Sequence, residues 1–454
     1  LAFLPGSGEI RAVAQELEGL ADLAICPLYG ELPFSEQQRA VLPGVQRRVV
    51  LATNIAETSL TIDGVRIVVD SGLTRRLQLD PASGLEQLVT VRASQASAQQ
   101  RSGRAGRTAP GVCYRFYSQQ SFTAMTPFSP PEIMTADLAP LVLELAAWGC
   151  HDVKQLAWLD QPPAAHLTAA RSLLQLLGAL DGGVTITAMG RRMVRLPLHP
   201  RLARLLVAAE AQGMLAEACR MAAELSHRST ARVAIKQTEQ QLLTLMRRYG
   251  TGVGLQAAPD PLLSPYLTAW PDRLAQQRAR EQQRYLLASG QGARLAEGLA
   301  PTELLVALQL AGGSNAEGVI RQAISCTAAE VRASLPHLLI QQRQVWWDAA
   351  AERVMAAEQE QLGAVVLASR QVTPSDQEAW PLLQEQVQRK GLELLVWSEA
   401  GRQLQARVQL AADCMPEETW PDLSPTGLLA SLEGWLLPHA AGLRSIQDLG
   451  RLNM

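Results

Sequence analysis

The chain is poor in lysine: of its 41 basic side chains, only Lys154, Lys236 and Lys390 are not arginine. Wherever it binds phosphate or carboxylate, planar guanidinium forks therefore act rather than point-charge ammonium groups. Net charge is nearly absent too, at −2 over 454 residues with a pI of about 6.4. The overall field neither demands nor excludes a nucleic-acid partner, which would have to meet local basic patches. None of Cys26, Cys113, Cys150, Cys219, Cys326 and Cys414 forms a C-x-x-C pair or has a histidine at ligand spacing, so no metal site is read and buried reduced thiols are expected. No apolar run approaches the ~18 residues needed to span a bilayer, and no signal peptide opens the chain. These absences exclude a membrane partner and point to a cytoplasmic location. Internal repeats and low-complexity tracts are missing as well.

What is present is ordinary globular material, 47% hydrophobic and 19% charged, in a chain too long for one core. Three or four domains are expected. The opening Leu1-Ala2-Phe3-Leu4-Pro5-Gly6 reads as a strand entering a turn with no initiator methionine, which predicts that part of a longer protein precedes it. Over residues 1–121 apolar runs at 1–4, 23–28, 49–52 and 65–70 alternate with helical patterns such as Ile10, Val13, Leu17 and Leu20, the sign of a parallel α/β sheet. Residues 76–91 alternate around Asp80-Pro81-Ala82-Ser83-Gly84 and predict a hairpin. A Pro, Ser and Thr-rich stretch at 122–131 opens a second domain, 122–199, whose helices and small Val184/Ile186 hairpin suggest a winged helix. Pro200 suits the first turn of a helix and begins an expected helical bundle over 200–297. Strand patterns then predict a small barrel or open sheet over 298–373. Residues 374–454 read as mostly helical, and an end at Leu452-Asn453-Met454 just after a helical pattern points to truncation.

The strongest chemical signal is Gln100-Arg101-Ser102-Gly103-Arg104-Ala105-Gly106-Arg107, with arginines three apart beside glycines that let a ligand approach the backbone. A helix would put Arg104 and Arg107 on one face, where two forks can neutralise a terminal phosphate as its bond breaks. The alternative is a solvated Arg/Gly-rich turn. A second polar loop, Ala52-Thr53-Asn54-Ile55-Ala56-Glu57-Thr58-Ser59-Leu60-Thr61-Ile62-Asp63-Gly64, follows an apolar strand, and ligands of open α/β sheets bind beyond strand carboxyl ends. Thr53, Asn54 and Ser59 suit phosphate oxygens and Asp63 a ribose hydroxyl; the alternative is a hydrogen-bonded structural turn.

Together with Leu4-Pro5-Gly6 and Val68-Val69-Asp70-Ser71-Gly72, these segments resemble helicase motifs IV, V and VI of the DEAH/RHA family. Pro197-Leu198-His199-Pro200-Arg201-Leu202 and the segment 273–295 are similar to its bacterial HrpB type. The resemblance is specific over about residues 1–225 and thinner beyond. It implies a RecA-like parallel α/β domain followed by winged-helix, helical (ratchet), OB-like β and carboxy-terminal helical regions. It further implies Arg104 and Arg107 as arginine fingers with Gln100 near the γ-phosphate, and Ser59, Thr61, Asp63 and Gly103 on the nucleotide side. Thr53 and Asn54 would line the nucleic acid, and Pro5 and Gly6 would offer backbone N–H groups to a strand phosphate. The implied partner is single-stranded nucleic acid, RNA favoured over DNA.

The chain departs from the family in having no G-x-x-x-x-G-K-[ST] loop and no Asp-Glu dipeptide. ATP and Mg²⁺ would then be held mainly by a first RecA-like domain of the parent protein. A non-catalytic nucleic-acid-binding or regulatory module acting with a motor domain in trans is the rival reading, and a purely structural α/β scaffold a third. Of Trp346 and Trp347 in a predicted strand, one is expected in the core and the other outward, for packing or for base stacking. His199 reads as a helix-entry residue rather than a catalyst. The basic run Arg273, Arg278, Arg280 and Arg284 reads as a solvated helix face, with phosphate contact the alternative.

Overall fold

Apolar runs separated by helical patterns assemble here into one parallel sheet. Strands β1 (Ala2–Phe3), β2 (Leu23–Leu28), β3 (Arg47–Ala52), β4 (Ile67–Asp70) and, beyond a hairpin of β5 (Leu73–Asp80) and β6 (Leu85–Arg92), β7 (Val112–Arg115) lie in the order β2-β3-β1-β4-β7. Every neighbouring pair is parallel. Helices α1 (Ser7–Leu17), α2 (Phe34–Val41) and α3 (Gln95–Gly103) connect them. Phe3, Leu28, Val50, Ala52 and Val68 form the core with Ala40 of α2. The computed structural model describes residues 1–20, 22–58, 61–80, 85–226, 232–250, 263–279, 282–312 and 317–452, in two units, Leu1–Pro336 and His337–Met454.

Within the first unit, α4 (Gln119–Thr123) and α5 (Ala139–Ala147) lead to α6 (Ala164–Leu176) and α7 (Ala188–Met193). The expected winged-helix hairpin is reduced to one antiparallel bridge, Leu180 with Ile186. Thr187 caps α7, its hydroxyl accepting from the Gly190 N–H at 3.0 Å. Gly190 is needed because a Cβ there would lie 2.3 Å from the Ala179 carbonyl oxygen. Helices α8 (Pro200–Ala211), α9 (Leu215–Ser226), α10 (Arg232–Tyr249) and α11 (Pro265–Ala269) follow. Pro200 takes the first turn of α8 as expected, and His199 caps it: Nδ1 accepts from the Arg201 N–H at 3.2 Å, leaving Nε2 to meet Asp137 at 3.0 Å. Burial pushes the Asp137 carboxyl up, but the His199 contact outweighs it and holds the carboxyl below its ordinary value.

The expected helical bundle ends early. Residues expected to be helical become β8 (Leu274–Ala279), β9 (Gln282–Leu287) and β10 (Gly292–Leu295), which close a barrel with β11 (Leu304–Ala311) and β12 (Gly318–Ser325) in the order β10-β12-β11-β8-β9. The arginines of this stretch obscured a period of two, in which Tyr285, Leu287, Ala293 and Leu295 point inward. Arg273, Arg278 and Arg284 thus border or lie on strands, not a helix face, and Arg280 lies outside the described residues. The buried Tyr285 hydroxyl is satisfied by donating to the Thr302 carbonyl at 2.8 Å and accepting from its N–H at 3.0 Å. Helix α12 (Ala328–Ser334) comes after the barrel.

The strands expected at 344–369 belong to the second unit, as an antiparallel meander of β13 (Ile340–Asp348), β14 (Arg353–Leu362) and β15 (Val365–Val372). The single β region expected over 298–373 is therefore two separate sheets. Helices α13 (Asp376–Lys390), α14 (Glu399–Cys414), α15 (Pro425–Ala430), α16 (Leu432–Trp435) and α17 (Ile446–Leu449) complete this unit as expected. Ser375 and Glu378 form a capping box on α13, and Arg343 of β13 grips the same Glu378 from 2.7 and 3.0 Å. Val354, Trp380, Leu383, Val387 and Leu436 form the core, with Val345 and Trp347 packed against it. All six cysteines are free, but only Cys26 and Cys219 are buried; the others lie in partly open positions and Cys414 is exposed. Among the described residues no helix is long and apolar enough to cross a membrane.

Arg201 joins α8 to the entrance of the barrel. Its buried guanidinium meets both oxygens of Asp272 at 2.7 Å and the Ala269 carbonyl at 3.1 Å. Although burial pushes the Asp272 carboxyl up, Arg201 outweighs it and holds the carboxyl below its usual range. Arg201→Met strands that carboxylate, and since Asp272 keeps 27% of its side-chain surface the expected loss is about 3 kcal/mol, the low end for a broken buried pair. Pulse proteolysis reads it as earlier cleavage around α11 at lower urea; an unchanged urea midpoint would refute the assignment.

Candidate nucleotide and nucleic-acid site

The parallel sheet sends the loops after β1, β3 and β4 to one edge, and Arg101 binds them together. This residue of α3 is 1% exposed. Its guanidinium donates to Glu57 Oε1 at 2.7 Å, Asp70 Oδ1 at 2.8 Å and the Leu73 carbonyl at 3.1 Å, and its Cζ lies 5.1 Å from the centre of the Phe3 ring. One side chain thus holds the loop after β3, the end of β4, the root of the β5–β6 hairpin and β1. Asp70 also accepts from the Gly72 N–H at 2.9 Å and the Tyr117 hydroxyl at 2.7 Å. Burial first, then the bond to Asp70, pushes the Tyr117 phenol well above its ordinary value. Gly72 has φ +71° and no room for a Cβ, which would meet the Tyr117 ring at 2.5 Å.

Arg104 lies one turn on, past the end of α3, as its C-cap. Its Nε donates to the Glu57 carbonyl at 3.0 Å, and Nη2 reaches the carbonyls of Glu57 and Thr58. Burial, and then the nearby Arg107, lower its pKa from the ordinary arginine value, with Glu57 opposing. The expected helix face carrying both arginines does not form, because α3 stops at Gly103 and the chain turns through Gly106 and Pro110. The two arginines nevertheless border one crevice with Leu1, Ala56, Ile62 and Val65. At about 10 Å³ it admits a water-sized group, not a nucleotide.

The remaining expected residues divide into three groups. Gln100, Gly103, Asn54, Thr61 and Asp63 are exposed, and Thr53 is half-buried ahead of the 3₁₀ turn Asn54–Ala56. Pro5 and Gly6 are buried at the start of α1, where Gly6 occupies the N-cap with no side-chain cap. A Cβ on Gly6 would lie 2.4 Å from the Arg75 guanidinium, which also meets Glu9 at 2.8 Å. Ser59 lies outside the described residues. The residues that sequence reasoning passed over are Arg101, Glu57, Asp70, Tyr117 and Arg75. The available signal was that Asp70 ends one parallel strand and Glu57 lies in the loop after another, the two strands flanking β1, so that both acids fall on the side where a buried guanidinium finds its counter-charges.

Arg101→Met leaves two carboxylates without their cation, and the expected local loss is about 3–5 kcal/mol. Tyr117→Phe removes one hydrogen bond to a charged group, about 2 kcal/mol. A chain of several domains does not unfold in one step, so amide exchange in β4 and α3 is the measurement. Protection in Arg101→Met equal to that of the parent chain would refute the central role of Arg101.

Comparison with known proteins agrees with this architecture. The family model for the helicase conserved C-terminal domain matches residues 2–109, and that for the helicase associated domain (HA2), winged-helix, matches residues 170–198. Over its whole length the chain is 39% identical, across 472 aligned residues, to ATP-dependent RNA helicase HrpB of Escherichia coli (strain K12), of which it spans 58%. Half of it is 40% identical, over 237 residues, to the pre-mRNA-splicing factor ATP-dependent RNA helicase prp22 of Schizosaccharomyces pombe (strain 972 / ATCC 24843), covering 20% of that protein. The crystal structure of E. coli DEAH/RHA helicase HrpB matches all of the chain with a TM-score of 0.73 and 38% identity, the chain covering 59% of it. A second, of the E. coli DExH-box NTPase HrpB, matches 99% of the chain with a TM-score of 0.71 and 37% identity, with 57% of that structure covered. The sequence and the fold thus show that the chain belongs to the HrpB-type DEAH/RHA helicases and corresponds to their carboxy-terminal portion.

Proposed function

We propose that this chain forms the second half of an ATP-driven motor that moves along single-stranded nucleic acid, RNA in preference to DNA. The observation that carries the reading is Arg104 on the carbonyls of Glu57 and Thr58. That contact makes the arginine segment and the polar loop after β3 one mechanical piece. Arg107, exposed at the rim of the crevice, supplies the open fork for a terminal phosphate. Arg104 supplies the second fork by trading its carbonyls for phosphate oxygens, which releases the loop. Gln100 orients water, and Ser59, Thr61, Asp63 and Gly103 border the nucleotide. Thr53 and Asn54 grip the strand, and the uncapped N–H groups after Pro5-Gly6, beside Arg75, take a strand phosphate. Strand grip and phosphate chemistry are coupled because both draw on the same loop.

ATP hydrolysis supplies the free energy. This chain offers only one wall for the nucleotide: it has no phosphate loop and no Asp-Glu dipeptide. Among its described residues no group of three His, Cys, Asp or Glu side chains is placed to hold a metal. The charged side chains that border the crevice, Arg104 and Arg107, are cations, so Mg²⁺ would be held by a first RecA-like domain, the other partner that the reading requires.

In a protein extended by that domain, Arg107→Ala is expected to lower ATP turnover about a thousandfold or more. Arg104→Ala lowers it similarly and also uncouples turnover from stimulation by single-stranded RNA. Steady-state hydrolysis with and without RNA and DNA oligonucleotides is the measurement. Turnover by the chain alone, or unchanged turnover in Arg107→Ala, would sink the reading.

A further inference from the structure

The parallel sheet sorts its connections by side. Phe3, Val50, Ala52, Val68 and Cys113 lie on one face, in or against the core that holds Ala40 of α2 and Ala105 just past α3. The connection from β2 through α2 to β3 crosses this face, and so does the one through α3 to β7; both run in the direction from β2 toward β7. Helix α1 returns from β1 to β2, the opposite way. It packs on β2 and β3 from the other face, where Ile10 and Leu51 are buried outside that core. Right-handed crossovers require this: a connection that reverses direction changes face.

The second face stays open over the far half of the sheet. Register places Ile67 beside Val112 and Val69 beside Tyr114, and Phe116 follows on the same side, its N–H continuing the ladder to the Asp70 carbonyl at 2.9 Å. Ile67, Val112, Tyr114 and Phe116 are exposed, the two aromatic rings at 56% and 74%. Asp70 and Arg115, the charged residues of this strand pair, point to the opposite face. Parallel sheets are covered on both faces, and a contiguous apolar area on one of them marks a contact surface. The Leu1 nitrogen donates to the Ile67 carbonyl at 2.9 Å, so the backbone enters β1 beside this area. A segment that crosses to β1 from beyond the β7 edge runs in the direction of α1, and the same handedness puts it on the open face.

We infer that the face of Ile67, Val112, Tyr114 and Phe116 seats an amphipathic helix of the segment that joins the first RecA-like domain to β1. The docking rests on the motor reading for one thing, a domain ahead of Leu1. Val112 to Phe116 spans about 13 Å, which about nine helical residues cover, with apolar side chains three and four apart turned to the sheet. Seated there, the segment fixes the tether of the first domain beside β4, whose Asp70 holds Arg101 on the opposite face. The tether is then part of the sheet rather than a loose connection.

The test compares the whole chain with the protein extended through that domain, by amide exchange in β4 and β7 and by tetranitromethane labelling of Tyr114 read on peptides. In the extended protein both rates are expected to fall about tenfold or more, the factor that one buried aromatic side chain is worth. Phe116→Asp is expected to return them toward the rates of the chain alone, and Phe116→Leu to keep them slow. Phe116 is exposed in the chain alone, so Phe116→Asp leaves amide exchange there unchanged, which separates lost docking from misfolding. Equal Tyr114 labelling in the two proteins overturns the docking. Protection already present in the chain alone, together with sedimentation as a dimer, overturns it too, because a second copy is then the occupant. ATP turnover of the extended protein reports the motor reading separately. RNA-stimulated turnover with β7 still open keeps the motor reading and rejects the docking; a closed β7 without turnover does the reverse.

Discussion

A guanidinium buried at the edge of a parallel sheet organises the motor-like domain. Taking a charge out of water costs several kcal/mol unless the surroundings return it, and Arg101 meets two carboxylates, a carbonyl and an aromatic ring. The parallel sheet makes this possible because its carboxyl ends all deliver their loops to one side. Each partner of Arg101 ends or follows a different element, so the position of any one loop is set by the others. Arg104 extends the same arrangement outward by one turn, from side-chain carboxylates to backbone carbonyls.

The scarcity of lysine has a structural counterpart in this arrangement. Arg101, Arg201, Arg343 and Arg444 each bind two or more acceptors, those of Arg101 on separate elements and those of the other three within one short stretch of chain. A planar fork can do this with fixed geometry, whereas an ammonium on a flexible stem fixes only a distance. Arginine here serves the architecture at least as often as it serves a ligand. That is why counting arginines, or noting their spacing, does not by itself separate sites from struts.

Much of the fold is legible where the repeat of the apolar residues is unambiguous. The runs at 23–28 and 65–70 become parallel strands, the Ile10 pattern becomes α1, and Pro200 starts α8. The reading fails where charge masks the repeat: residues 274–295 alternate in burial, but their arginines suggested a helix surface. The loops proposed as the site stood out in the sequence because their polar residues directly follow an apolar strand. The buried partner of those loops did not, since Arg101, Arg104 and Arg107 are chemically identical in the sequence and only packing decides which one is enclosed. Gly103 and Gly106, read as places of close approach, also end the helix, a second use of the same residue that spacing alone does not reveal.

The hairpin of β5 and β6 starts at the Asp70–Arg101 junction, and β6 lies against strand β11 of the barrel. Eight-residue strands extend about 26 Å, and at that length a tilt of about 5° at the root displaces the far end by roughly 2 Å, more than a well-packed contact absorbs without shifting. The hairpin is a lever whose fulcrum is the buried arginine. A reorientation of the sheet edge is thereby passed toward the barrel through β6, with a reach set by the length of the strands.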